Sequence, residues 1–309
     1  MRADEAAKII LRALQQVIRE NEAGIQADLD TEFLHDFRTA VRRTRSALSQ
    51  IKGVFPAEPT EQAKQAFRGL GQLTNELRDL DVYLLSRDHY RALLPDALQA
   101  DIDPMFDFLA DKRTGALQRV VAGLQSAEYE ALMTEWSAFL HAAPSAMEDA
   151  PKAGQPIAKL ARRRLLKRYR RLIDEGNRIL EEQDDALMHA LRIDGKKLRY
   201  LMEFFAEILP KQESKRLIKQ LKRLQDNLGE FNDLTVQQAY LLHVADELPL
   251  DDPRMRRTLV AIGVLIEQLA RRQAEVRAAF AEIFAAFAAP ANQQAFARLL
   301  AEETEEPPP

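Results

Sequence analysis

Cysteine is absent from the chain, so neither a disulfide framework nor a thiolate metal site or nucleophile is open to it. Glycine is scarce, 11 residues in 309. No Gly-rich phosphate loop, paired carboxylates in a strand setting or Ser/His/Asp arrangement can be found, which argues against an enzyme and calls for no cofactor. No uncharged apolar run approaches the roughly 20 residues of a membrane span; the longest, Leu259 to Ile266, stops at Glu267. The opening MRADEAAKIILRALQQ is charged and amphipathic rather than signal-like, so the chain is expected in the cytoplasm, away from membranes. Runs of Val, Ile or Thr are few, and no segment reads as a strand.

What is present is amphipathic helix. Apolar residues recur at three- and four-residue spacing in a background of Ala, Leu, Arg, Glu and Gln, which predicts an all-α fold. Breaks are expected at Pro56 and Pro59, Asp103-Pro104, Ala143 to Pro156, Pro210, Pro249 to Pro253, and Pro290. The widest, APSAMEDAPKAGQP, reads as a linker and divides the chain into residues 1–150 and 151–309. The final EETEEPPP reads as a disordered tail.

The formal charge of -4 conceals an asymmetry: residues 158–223 carry 19 Lys+Arg against 10 Asp+Glu. A basic face on an acidic body can attract a polyanion whatever the net charge.

The chain also repeats itself. LHDFRTAVRRTRSALSQIKGVFP, residues 34–56, aligns without a gap on MHALRIDGKKLRYLMEFFAEILP, residues 188–210, at an offset of 154. His35 falls on His189, Arg38 on Arg192, Arg42 on Lys196, Arg43 on Lys197 and Arg45 on Arg199. The same offset then carries Asp79-Leu80-Asp81-Val82 onto Asp233-Leu234-Thr235-Val236. A fixed offset kept through charge, apolarity and break is the mark of a tandem duplication.

On a helix, with His35 at zero, Arg42, Arg38 and Arg45 lie near about -20°, -60° and -80°, beside an apolar stripe of Phe37, Val41 and Leu48. Stacked cations repel one another. Either an anionic ligand offsets this, or the arginines are paired on a solvated face with acids such as Asp79, Asp81, Asp226 and Asp233. Recurrence of the stripe in register favours a ligand.

Two more segments add positive charge. Lys159 to Arg171 holds eight cations and no acid, with Arg163, Lys167 and Arg170 as binding candidates; the helix after Pro210 offers Lys215, Lys219, Lys222 and Arg223. The second half is therefore expected to dominate binding. His35 and His189 sit in no His-x-x-His spacing, so no metal site is expected.

The duplicated His-x-x-Arg-x-x-x-basic-basic-x-Arg pattern, each copy ending at a Pro and followed by a helix with an Asp-Leu-x-Val segment, resembles the conserved-histidine α-helical domain, CHAD. The resemblance covers nearly the whole chain. It is most specific in HALRIDGKKLRYLMEFF followed by LKRLQDNLGEFNDLTV. It implies two pseudo-symmetric four-helix bundles whose basic helices meet along a shared surface or channel. It further implies binding of inorganic polyphosphate, in some members at polyphosphate granules. Carried over, the binding residues are His35, Arg38, Arg42, Arg43 and Arg45, with His189, Arg192, Lys196, Lys197 and Arg199. In the first copy the following helix departs, keeping only Lys64, Arg68 and few other cations. Nucleic acid is the less favoured polyanion, because only Tyr169 and Tyr200 interrupt the most basic helices and stacking needs aromatics. A protein-adaptor role is the other alternative.

Overall fold

Helix ends recur along the chain at the same local signals. The Asp30 carboxylate accepts from the Glu32 N–H at 2.8 Å and caps α2 (Thr31–Gln50); Asp184 accepts from the Ala186 N–H at 2.8 Å and caps α9 (Asp185–Phe204). Pro56 precedes α3 (Ala57–Leu73) as Pro210 precedes α10 (Lys211–Glu247), because a residue without an N–H loses nothing at a helix start. Helix α1 (Ala3–Gln26) likewise begins 154 residues before α8 (Ile157–Glu182). The remaining helices are α4 (Asn75–Leu85), α5 (Arg87–Ala92), α6 (Asp103–Leu124), α7 (Ala127–His141), α11 (Pro253–Phe287) and α12 (Pro290–Leu300), with short 3-10 turns at Asp96–Leu98 and Ala100–Ile102.

The computed structural model describes residues 1–143, 150–182, 184–206, 209–249 and 251–300. Among these there is no strand, only an isolated bridge between Arg2 and Pro156. Nor, among the described residues, is any helix long and apolar enough to cross a membrane. Pro59 is not a break: it lies in the first turn of α3, where its missing N–H would have had no partner.

The apolar stripes are buried as the periodicity predicts. Leu34, Phe37 and Leu48 of α2 are at most 3% exposed, and Met188, Leu191 and Met202 at the matching places of α9 are fully buried. Each such side chain contributes about 1.5–3 kcal/mol relative to exposure. Helix α1 packs on α2, α4 on α6, α8 on α9, and α10 between α9 and α11. Across the middle of the chain α2 packs on α9, and α6 with the turn before it packs on α11. One continuous apolar core runs through both halves. Gly176 makes part of this possible, since a Cβ there would stand 2.0 Å from the Phe284 ring.

Of the expected linker, residues 144–149 lie outside the described residues. The rest is docked rather than loose: the Gln155 carbonyl accepts from the Ala3 N–H, the Lys152 N–H donates to the Gly53 carbonyl, and Ala150 and Ala153 are buried. The expected tail, EETEEPPP, lies outside the described residues.

The two halves differ after the stripe. Where α10 runs unbroken, the first half is divided at Thr74 and Ser86, whose hydroxyls donate back to the Leu70 and Val82 carbonyls.

Candidate functional site

Where α2 meets α9 a cleft of about 530 Å3 opens. Arg42 and Arg45 line it from α2, Lys196 and Lys197 from α9, Lys64 and Arg68 from α3, and Arg168 from α8; Glu61 is its one acid. The stripes that the sequence places on separate helices therefore share one cavity, because α2 and α9 bury their apolar faces and leave the bordering cations at the seam.

Charge of one sign at this density needs compensation, and two acids of α9 supply part of it. Asp194, 2% exposed, pairs with Arg168 at 3.1 Å, Lys197 at 2.9 Å and Arg171 at 2.7 Å. Glu203 pairs with Arg43 across the seam and with Arg199 at 3.5 Å. Among the described residues Lys196 makes no ion pair. Burial, reinforced by Arg192, Arg42 and Arg199 and opposed by Asp233, pulls its ammonium down to about 8. A cation that has shed water without gaining a partner is one that a multiply charged anion can satisfy.

Two neighbouring pockets extend the cleft. On the first-half side a pocket of about 290 Å3 shares Arg42, Arg45 and Arg68 with it and adds Arg38. Arg38 is clamped to the α3–α4 junction, donating to the Gly71 carbonyl (3.0 Å), the Thr74 hydroxyl (2.7 Å) and the Asn75 side-chain oxygen (2.9 Å). Burial pushes the Arg38 guanidinium down and the nearby Asp79 carboxyl up, and each partly restores the other. On the second-half side Lys196 opens into a larger cleft of about 1010 Å3 between α10 and α11. This one is mixed in charge: Arg192, Arg271 and Arg272 face Asp226, Glu230, Asp233 and Glu275. Arg192 itself donates to Asp233 at 3.0 Å. The pairing of stripe arginines with acids thus holds for Arg192 with Asp233, whereas Asp81 is engaged by Arg113 at 2.6 Å.

The other residues singled out from the sequence are placed elsewhere. His189 is exposed with Nδ1 2.5 Å from the Asn232 side-chain oxygen, and His35 is half-buried; neither lines these cavities. Arg43 and Arg199 serve Glu203. On α8, Arg163, Lys167 and Arg170 are exposed, at about 140–200° from the buried Leu165 on the helical wheel, so they point away from the seam. Lys215, Lys219, Lys222 and Arg223 are exposed on the face of α10 opposite the buried Leu217 and Leu221, and line none of these cavities. Arg168, Lys64 and Arg68 line the cleft as well, although none of them stood among the binding residues expected from the sequence. Arg168 had a legible signal: at i+3 from Leu165 and i-4 from Leu172, it flanks the buried stripe. Lys64 and Arg68 had none, because their closeness to the seam depends on how α3 folds back on α2.

Among the described residues no group of three or more His, Asp or Glu is placed to hold a metal ion. What the path offers is a row of Arg forks and Lys ammoniums, able to engage successive anionic groups of an extended ligand.

Comparison with known proteins identifies the family and the fold. A family model described as the CHAD domain matches residues 9–242. The crystal structure of the CHAD domain from the plant Ricinus communis is similar over 94% of this chain and 92% of its own, with 27% identity and a TM-score of 0.77. PptA from Streptomyces chartreusis has the same fold, with 16% identity and a TM-score of 0.66 over 92% of this chain and 99% of its own. No curated protein matches the chain.

Proposed function

The chain belongs to the CHAD domain family, and from that premise we propose that it binds inorganic polyphosphate along the path from Arg38, through the cleft between α2 and α9, to Arg192. The observation that carries this reading is the cleft itself, where seven cations from four helices meet a single acid.

Binding is multivalent. Arg42, Arg45 and Arg68 present forks, Lys64 and Lys196 present point charges, and release of the polymer's counterions favours association, so affinity falls steeply with salt and rises with chain length. The site captures its ligand and leaves it chemically unchanged. Both halves descend from one ancestral unit and form two pseudo-symmetric four-helix bundles, residues 1–150 and 151–309, with the ligand at their seam. The protein acts in the cytoplasm, and long polyphosphate draws it to granules.

A bare phosphate chain suits the path better than a nucleic acid. Tyr169 is stacked on Phe296 at 3.9 Å inside the core, and Tyr200, though it lines the cleft, is 5% exposed, so neither ring offers a free stacking platform.

The test is competition at near-physiological salt between long-chain polyphosphate and single- or double-stranded DNA and RNA, with Arg192→Ala/Lys196→Ala/Arg199→Ala beside the unaltered protein. Preference for polyphosphate that collapses in the variant supports the proposal. Equal binding of all polyanions, or an unaffected variant, moves the function to nucleic acid or to a protein partner.

A further inference from the structure

Lys196 differs from the other lysines of the path, Lys64 and Lys197, in three ways. It lines both the seam cleft and the α10–α11 cleft. Among the described residues it makes no ion pair, whereas Lys64 is held by Glu61 at 2.6 Å and Lys197 by Asp194 at 2.9 Å. Its charged neighbours are Arg42 on α2, Arg192 and Arg199 on its own helix, and Asp233 on α10. An amine bordered by arginines in a half-buried cleft is placed to meet a small molecule that carries a phosphate beside an electrophilic carbon.

We infer that Lys196 is a site of covalent acylation by acyl phosphates, the mixed anhydrides of carboxylic acids with phosphate. The inference rests on the proposed function in taking the two clefts as phosphate sites. Arg42 and Arg192 hold the phosphoryl group. The neutral Nζ attacks the carbonyl carbon to form a C–N bond, the bond from that carbon to the bridging oxygen breaks, and the electron pair leaves with inorganic phosphate. The proton shed by nitrogen passes to the phosphate or to water. No oxidant or reductant is required.

Two effects set the size of the preference. An amine pulled down to about 8 is unprotonated far more often near neutrality than an ordinary lysine, and the accompanying loss of basicity takes back part of the gain. The net preference over a solvated lysine is roughly tenfold. Acylation also removes a cation where the clefts join, so a modified chain should bind polyphosphate more weakly.

The experiment exposes the full chain briefly to acetyl phosphate at pH 7.5 and quantifies acetyl-lysine by peptide mass spectrometry. Polyphosphate binding is measured on the same preparation. The expected result is acetylation of Lys196 about tenfold faster than of the exposed Lys215, Lys219 and Lys222, with a smaller ratio for an uncharged acetyl ester and in Arg42→Ala/Arg192→Ala. Equal rates at all four lysines, or the same ratio with the uncharged ester, would overturn the inference. Selective acetylation in a protein that binds no polyphosphate would uphold Lys196 as the site and defeat the proposed function. Tight polyphosphate binding with unselective acetylation would do the reverse.

Discussion

In the first half the helix after the stripe is broken at Thr74, and Arg38 is held there by a carbonyl, a hydroxyl and an amide oxygen; in the second half α10 is unbroken, and Arg192 is held by the carboxylate of Asp233. Neutral acceptors leave a guanidinium's charge intact, whereas a carboxylate cancels much of it for a distant anion. The same contrast runs along the seam. Lys197 and Arg168 share Asp194, while at the position matching Asp194 the first half has the buried Ala40. Residues 158–223 carry the more cations, yet their acids claim several, and the first half contributes Arg42, Arg45, Lys64 and Arg68 to the cleft. The number of cations in a segment therefore does not measure the charge it offers a ligand.

The strongest challenge to this comparison is to remove one cleft cation from each half. Arg42→Ala/Lys196→Ala should lower affinity for long-chain polyphosphate about a hundredfold at near-physiological salt, as two charge-assisted contacts of roughly 1.5–3 kcal/mol each are lost and partly screened. Fluorescence competition titrations of the two single variants would show whether each half carries a share; if either alone accounts for the whole loss, the seam is not a joint site.

A stability measurement separates the halves next. Asp194→Ala strips the acid from three cations and should destabilise the chain by about 2 kcal/mol in urea, below the full cost of breaking a buried pair because its partners reach solvent. An unchanged urea midpoint would mean that those cations do not need Asp194.

Raising the pH probes Lys196 most strongly. Because its ammonium is pulled down to about 8, the folded chain gives up that proton before the unfolded chain does. Stability should consequently rise as pH climbs from about 8 toward the ordinary lysine range near 10.4, while polyphosphate affinity falls several-fold between about pH 7 and 9.5. In Lys196→Arg, whose charge persists, both trends should vanish in parallel denaturation and binding series. Persistence of the affinity loss in that variant would assign it to another group.

The smallest effect is expected on the outer face of α8. Arg163→Ala/Lys167→Ala/Arg170→Ala removes three exposed cations that line none of the cavities, and affinity should change by less than about threefold, through long-range field alone. A loss comparable to that of the seam variant would place the ligand on the outside of the second half.

The local pattern is legible in the chain alone. Asp30 and Asp184, Pro56 and Pro210, and the apolar positions from Leu34 to Leu48 and from Met188 to Met202 dictate where helices begin and which side they bury, since capping and periodicity act over a few residues. From that pattern Arg42, Arg45, Lys196 and Lys197 follow as cations bordering a core. The tertiary structure decided which charges count. Only the packing of α2 on α9 and the return of α3 beside them bring Lys64, Arg68 and Arg168 to the seam, turn Arg43 toward Glu203, and leave Arg163 and Lys215 facing water. Those outcomes depend on distances between residues far apart in the chain, and burial and pairing, which set the strength of a charge, exist only once those distances are fixed.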